Sequence, residues 1–201
     1  MEKFYLEIPS IERKEEALEY LKEFVEYKSE INGTGGLNRC LDGMSYEEWL
    51  EETFKCMDKE YADKKGLVSA TPYFTVRESD NKIVGMICLR HYLNDTLRKV
   101  GGHIGYSIRP TERRKGYSKI QLYLVLLEAK KMKLDKVMLD CHTTNLGSKK
   151  TIEALGGIFE EEVSDERDGR KLYNYWINVD ESIEKYKEKY EKYILKSKRK
   201  C

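Results

Sequence analysis

One segment of the chain, residues 103–133, constrains the fold more than any other. Residues 103–109 alternate in the manner of a strand that stops at Pro110, and residues 118–133 place apolar side chains along a long helix. A helix that begins after a short loop points unpaired N–H groups, and the positive end of its dipole, into that loop. Gly116 lets the loop backbone come close to a ligand. The arrangement therefore predicts a binding site for a phosphate or a diphosphate.

The loop is also basic, since Arg113, Arg114 and Lys115 come directly before Gly116. Its spacing matches neither the G-x-x-x-x-G-K loop of one nucleotide-binding class nor the G-x-G-x-x-G loop of another. Taken alone, a strand, a glycine and a helix leave a second interpretation open, namely a solvated basic turn before a core helix. The anion site therefore needs support from the rest of the sequence.

The other periodic segments predict a mixed α/β (α+β) chain. The predicted strands cover residues 4–8, 73–77, 82–90, 136–140, 158–163 and 171–179, and the further helices cover residues 11–27, 45–61 and 144–155. Short turns join several consecutive strands, so we expect a largely antiparallel central sheet flanked by helices. A β-α-β unit should lie in its middle.

The end of the chain has a different character. Residues 181–201 hold eight Lys or Arg residues against four Glu, with Ile183, Tyr186 and Tyr190 at helical spacing. We therefore expect a domain over residues 1–180 followed by a basic helical tail. The sequence leaves open whether that tail packs on the domain or on a second subunit, and a monomer and a homodimer are both compatible with it.

The overall charge argues against whole classes of partner. The 37 Lys and Arg residues nearly balance the 36 Asp and Glu residues, which leaves a net charge of +1 and no general attraction to nucleic acid or anionic membranes. No stretch is long and apolar enough for a membrane span or a signal peptide. The five cysteines form no C-x-x-C pair, so we expect free thiols, no metal site and a cytoplasmic location.

Two short motifs resemble those of a known family. The run R-x-x-G-x-S at residues 113–118 is similar to motif A of the GNAT superfamily of N-acetyltransferases, in which the last position is usually Gly or Ala. Ser118 departs from that pattern but is small enough for the loop to close. The run N-x-x-S at residues 145–148 resembles a second segment of the same family, in the right order and at the right separation.

The resemblance implies a fold, a co-substrate and a set of contacts. Strands at residues 104–109 and 137–141 would splay into a V that receives the pantetheine arm of acetyl-CoA, and the motif A loop would bind its diphosphate. The implied cofactor-binding residues are Ile108, Arg109, Arg113, Arg114, Lys115, Gly116, Tyr117, Ser118, Asn145 and Ser148. The implied activity is metal-free transfer of an acetyl group from acetyl-CoA to a primary amine.

Such a reaction needs a group that accepts a proton from the amine. A lysine-like amine with a pKa of about 10.4 is deprotonated at neutral pH at a cost of about 4.6 kcal/mol. A histidine suits that task. We expect His103 to be the base, against the alternative that it bonds only its neighbours; His91 and His142, each at the edge of a strand, are the other histidine candidates. The tyrosine that the family uses as acid is replaced here by Ile152, which leaves Tyr106 as a candidate acid.

The region before residue 70 is expected to supply the acceptor site. Residues 12–30 hold seven Glu against four Lys or Arg, which favours a small cationic molecule or a peptide amine as acceptor, unless these acids form ordinary solvated helix faces. The polar, glycine-rich loop after the first helix is the predicted acceptor-binding segment. Its candidate residues are Ser29, Glu30, Asn32 and Gly33, with Glu30 as the partner of the ammonium group.

Two other functions remain compatible with the sequence. One is a module of the same fold that binds CoA or an acyl-CoA without turnover and acts as a sensor. The other is a nucleic-acid or partner-binding protein that acts through its basic tail.

Overall fold

A computed structural model describes residues 1–195 of the chain. The strands are β1 (Phe4–Glu7), β2 (Ala70–Arg77), β3 (Lys82–Arg90), β4 (Ile104–Ile108), β5 (Lys136–His142), β6 (Ile158–Ser164) and β7 (Lys171–Asn178). The helices are α1 (Lys14–Glu26), α2 (Tyr46–Met57), α3 (Lys59–Lys64), α4 (Asp95–Lys99), α5 (Tyr117–Lys131), α6 (Leu146–Glu153) and α7 (Val179–Tyr190). None of these helices is long and apolar enough to cross a membrane.

The strands form two antiparallel sheets, which confirms the predicted α/β class. The first sheet has the order β1-β2-β3-β4, and the second has the order β5-β7-β6. In the first sheet Ile108 lies opposite Gly85, and in the second Asp140 lies opposite Asn174. Strands β4 and β5 therefore end one sheet and begin the other, with α5 crossing between them.

The two sheets meet at one short contact. The N–H of His103 donates to the carbonyl of Met138 at 2.7 Å, and the N–H of Met138 donates to Nδ1 of His103 at 2.9 Å. Beyond this contact the described residues of β4 and β5 share no ladder. The sheets are joined at the start of β4 and open toward its end, where the basic loop follows.

Helix α5 is buried on nearly all sides because it fills the space between the sheets. Leu122, Val125 and Leu126 have no exposed surface and belong to the larger of two cores. Full burial of such a side chain contributes about 1.5–3 kcal/mol. Helices α1 and α2 cover the other face of the first sheet and form a second core, in which Trp49 is fully buried. The site-forming loop is thus attached to a helix that is buried along most of its length.

The predicted boundary at residue 180 is not a structural division. Helix α7 begins at Val179, and its Ile183 and Tyr190 lie in the same core as α5. The Tyr190 ring contacts the ring of Tyr123, with centroids 5.4 Å apart. The start of the expected tail is therefore part of the domain, and residues 196–201 lie outside the described chain.

The junction between the sheets yields a stability prediction. Gly102 has φ +56°, and an added Cβ would lie 2.4 Å from the carbonyl oxygen of Met138. Gly43 has φ +98°, but its added Cβ would meet nothing within 4 Å. We expect Gly43→Ala to cost about 1–2 kcal/mol through backbone strain alone, and Gly102→Ala to cost clearly more. Urea unfolding of the two variants checks this, and equal losses would contradict it.

Candidate active site

The loop before α5 exposes a row of backbone N–H groups. Arg114 and Gly116 both have positive φ, at +62° and +84°, so the chain turns twice within three residues. Gly116 is the N-cap of α5 and offers no capping side chain. The N–H groups of residues 114–118 make no hydrogen bond to any acceptor in the described part of the chain. Successive amides in such a turn, at the positive end of a helix, form an anion-binding concavity.

These amides open into a cleft of about 600 Å³ between α5, β4 and α6. Twelve of the residues that the sequence singled out line this cleft. They are Ser29, Glu30, Asn32, Tyr106, Ile108, Arg113, Arg114, Gly116, Tyr117 and Ser118, joined by Asn145 and Ser148 on the far wall. Lys119 and Lys150 line it as well, although neither was predicted.

Arg113 links the loop to both neighbouring walls. Its Nε donates to the carbonyl of Ile108 at 3.1 Å, and its Nη2 donates to Oγ of Ser29 at 2.8 Å. Its guanidinium lies over the ring of Phe24, 5.4 Å from the centroid. Arg113 therefore shapes the cleft and holds the loop after α1 against it.

The far wall is built on the start of α6. The side chain of Asn145 accepts from the N–H of Ser148 at 3.0 Å and so caps this helix. Oγ of Ser148 lies 2.8 Å from the hydroxyl of Tyr106, which joins β4 to α6 across the V. The Ser118 hydroxyl lies 2.9 Å from that of Thr151 and joins α5 to α6.

Two predicted cofactor residues point away from the cleft. Arg109 is 4% exposed, its Nε lies 2.7 Å from a carboxylate oxygen of Glu23, and its N–H donates to Val84 in the sheet. Lys115 lies 2.8 Å from Glu112, which raises the pKa of the lysine. Neither is among the residues that line the cleft. The side chains of Arg109 and Lys115 are thus engaged within the protein, and their contact with the cofactor stays a prediction.

A second cavity of about 290 Å³ lies on the other side of Tyr106. Four residues line both cavities and mark their junction: Asn32, Tyr106, Asn145 and Ser148. Polar residues that line only the second cavity are Arg90, Asp140, His142, Asp165 and Arg167. The two cavities thus meet around Tyr106 and these three neighbours.

The loop after α1 is divided between these cavities. Ser29 and Glu30 line the first cleft, Gly33 lines the second cavity, and Asn32 lines both. Glu30 pairs with Arg170 of the β6–β7 turn at 3.1 Å. An added Cβ on Gly33 would lie 2.2 Å from the carbonyl oxygen of Tyr106, so only glycine allows this close approach. The contacts of Glu30 argue against its predicted role as the ammonium partner.

The contacts of His103 argue against its predicted role as the base. The side chain is 7% exposed, and its Nδ1 already accepts from Met138. Burial, together with the smaller effect of the nearby Arg90 charge, lowers the pKa of His103 to about 4. His103 is not one of the described residues that line the two cavities. These contacts give His103 a structural role at the junction of the two sheets.

Sequence reasoning missed Arg90, Asp165 and Arg167 of the second cavity, and it named His142 only as another candidate base. Arg90 and His142 stand at the ends of β3 and β5, and Asp165 and Arg167 lie in the turn between β6 and β7. Their positions just past strand ends were a usable signal, since binding residues concentrate on such loops. What the sequence does not show is that these three loops meet.

Comparison with known proteins agrees with this geometry. A sequence model described as Acetyltransferase (GNAT) family matches residues 15–156. Since this match spans more than half of the chain, the protein belongs to the GNAT family of acetyltransferases. A search of curated protein sequences found no significant match.

Solved structures of the same fold cover nearly the whole chain. A ribosomal-protein alanine acetyltransferase from Vibrio fischeri is 17% identical, with a TM-score of 0.62 over 90% of this chain and 95% of its own. A ribosomal-protein alpha-N-acetyltransferase in complex with coenzyme A is 12% identical, with a TM-score of 0.62 over 89% and 95%. A microcin self-immunity acetyltransferase in complex with acetyl-CoA and AMP is 15% identical, with a TM-score of 0.62 over 88% and 92%. At these identities the likeness shows the fold.

The buried histidine gives a pH prediction. Its folded pKa of about 4 lies below its ordinary value of 6.5, so the unfolded chain binds the proton more readily. Stability is therefore lost as pH falls through 6.5 toward 4, by up to about 3 kcal/mol. His103→Asn keeps an acceptor for Met138 but does not titrate. The advantage of the wild type over this variant in urea unfolding should shrink from about pH 7 to about pH 4.5, and a constant advantage would contradict the assignment.

Proposed function

We propose that the protein transfers the acetyl group of acetyl-CoA to a primary amine of a small molecule or peptide. The observation that carries this proposal is the row of N–H groups at residues 114–118, which lack acceptors in the described chain and open into the cleft. Five adjacent donors at the head of a buried helix suit a diphosphate better than any neutral group.

The cleft fits the other parts of acetyl-CoA as well. Arg114, Lys119 and Lys150 line it and supply positive charge for phosphate groups. Arg109 donates to Val84 in the antiparallel ladder, so alternation turns the backbone groups of Tyr106 and Ile108 away from β3 and toward the open V. The amides of a pantetheine arm bind such an exposed strand edge.

The junction of the two cavities is where the acetyl group belongs. Acetyl-CoA supplies the activated acetyl group when it is bound. Burial raises the pKa of Tyr106, so its hydroxyl stays protonated and donates a hydrogen bond instead of accepting a proton. At the junction this hydroxyl is placed to stabilise the thiolate that leaves as the amine attacks from the second cavity. Ser148, 2.8 Å away, holds the hydroxyl in position.

The comparisons support an amine as acceptor. Among the structures of this fold, one is a ribosomal-protein alpha-N-acetyltransferase and another is a chimeric spermidine N-acetyltransferase that is 13% identical, with a TM-score of 0.60. We carry over only the shared chemistry, acetyl transfer to an amine. We further place the protein in the cytoplasm, where acetyl-CoA is available to it.

A turnover assay with a thermal-shift control tests this function. Acetyl-CoA is mixed with free amino acids, dipeptides and spermidine, and thiol release is followed together with the melting temperature in the presence of CoA. Amine-dependent thiol release supports the acetyltransferase. Stabilisation by CoA without turnover of any amine favours the non-catalytic sensor instead. A melting temperature that CoA does not change, together with salt-sensitive DNA binding, favours a nucleic-acid-binding function instead.

The diphosphate site gives a binding prediction with a matched control. Gly116→Ala forces a side chain into φ +84°, which costs about 1–2 kcal/mol and disturbs the amides. We expect the Kd of CoA to rise by about tenfold or more. Gly66 also has positive φ, at +70°, with nothing within 4 Å of an added Cβ, but it lies outside the cleft. Calorimetry should show that Gly66→Ala binds CoA like the wild type; equal losses would contradict the site.

A further inference from the structure

The second cavity is electrically balanced, which is unusual for a site that binds cations. One carboxylate oxygen of Asp140 accepts from the N–H of Gly101 at 2.5 Å. The carboxylate of Asp165 accepts from Nε and Nη2 of Arg167 at 2.8 and 2.6 Å, which lowers the pKa of Asp165 to about 2. With Arg90 present, two carboxylates face two guanidinium groups. A polyamine finds no excess of negative charge here.

Arg90 offers hydrogen-bond donors that the protein does not use. Its Nη1 donates to the carbonyls of Gly101 and Gly102 at 2.7 and 2.8 Å, which fixes the guanidinium beside the cavity. Its Nε and Nη2 have no acceptor among residues 1–195, and the side chain lines the cavity. A guanidinium held in this way suits a carboxylate or a carbonyl oxygen.

His142 offers an acceptor that the protein does not use. It lines the cavity at the end of β5, and its Nδ1 is buried without a hydrogen-bond partner in the described chain. Buried polar atoms are nearly always bonded, so such an atom points to a ligand. The bonds from Arg167, and to a lesser degree the proximity of His142, hold the pKa of the Asp165 carboxyl below its usual range. His91, by contrast, bonds Ser69 and Thr71 through its two ring nitrogens.

We propose that the second cavity binds an amine with a carboxylate or carbonyl on the neighbouring carbon, as in an α-amino acid or a peptide N terminus. Arg90 binds the oxygen, and His142 is the catalytic residue that accepts a proton from the ammonium group. This inference rests on the proposed function and names its acceptor. Glu30, which pairs with Arg170, takes no part.

The proposed step balances in protons and electrons. The imidazole of His142 takes one proton from the ammonium group and later gives it to solvent. The freed lone pair of the amine attacks the thioester carbonyl, the C–S bond breaks, and the electron pair stays on sulfur. The second proton of the amine goes to the thiolate, whose charge the Tyr106 hydroxyl stabilises. The products are an amide and the thiol of CoA.

Matched acceptors test the inference on the wild-type protein. Ethylamine is alanine without its carboxylate, and alanylglycine presents the same α-amine beside a peptide carbonyl. Loss of a charged hydrogen bond typically costs about 1.5–3 kcal/mol, so we expect kcat/KM to fall about 10- to 100-fold from the better of alanine and alanylglycine to ethylamine. Which of the two is better distinguishes a free amino acid from a peptide N terminus. Equal or better turnover of ethylamine or spermidine would overturn the proposal.

Variants test the roles of Arg90 and His142 separately. Arg90→Gln should raise KM for the α-amino acceptor about 10- to 100-fold and raise KM for ethylamine much less, since ethylamine has no oxygen for Arg90 to bind. Arg90→Lys keeps the positive charge and should restore part of this loss. His142→Gln should lower kcat about 100-fold or more without changing the Kd of CoA, whereas His91→Gln removes a histidine that lines neither cavity and should keep kcat. An unchanged kcat in His142→Gln would overturn its role.

Binding distinguishes failure of this inference from failure of the proposed function. If no amine is acetylated, calorimetry of alanylglycine with the CoA-bound protein decides. If alanylglycine binds and Arg90→Gln weakens that binding, the acceptor site is supported although the proposed acetyltransferase activity is contradicted. Absence of binding would overturn the acceptor site as well.

Discussion

The short contact between His103 and Met138 is the constraint on which the architecture depends. It joins two sheets at one end only, so β4 and β5 must separate along their length. Helix α5 fills the space beneath them and is buried there. The cleft is therefore held open by packed helices and sheets. The loop that carries Gly116 inherits this rigidity, which a site made of backbone amides requires, since amides cannot be re-aimed without moving the chain.

Local signals in the sequence predict most of the fold. The strand at Lys82–Arg90 and the capping box of Ser45 and Glu48 occur as expected, because turn chemistry and capping act within a few residues. Local periodicity fails where tertiary contacts decide. The predicted helix over residues 45–61 is broken at Asp58, which caps a new helix, and α4 had no apolar pattern to reveal it.

The two cavities differ in how far the sequence predicts them. The cofactor cleft is formed mainly by residues close together in sequence, in the loop before α5 and at the start of α6. Most of the residues predicted for it line this one cleft. The acceptor side is assembled from strand ends far apart in the chain, such as Arg90, His142 and Asp165. Two candidate residues make contacts within the protein that the sequence does not reveal. Arg109 and His103 look reactive in sequence, but one is paired with Glu23 and the other bonds Met138.

The most direct measurement of the central claim is a crystal structure of the protein with bound CoA. We expect diphosphate oxygens within hydrogen-bond distance of N–H groups at residues 114–118, with the thiol end of CoA near the Tyr106 hydroxyl. A diphosphate seated elsewhere, or loop N–H groups bonded to the protein's own carbonyls, would contradict it.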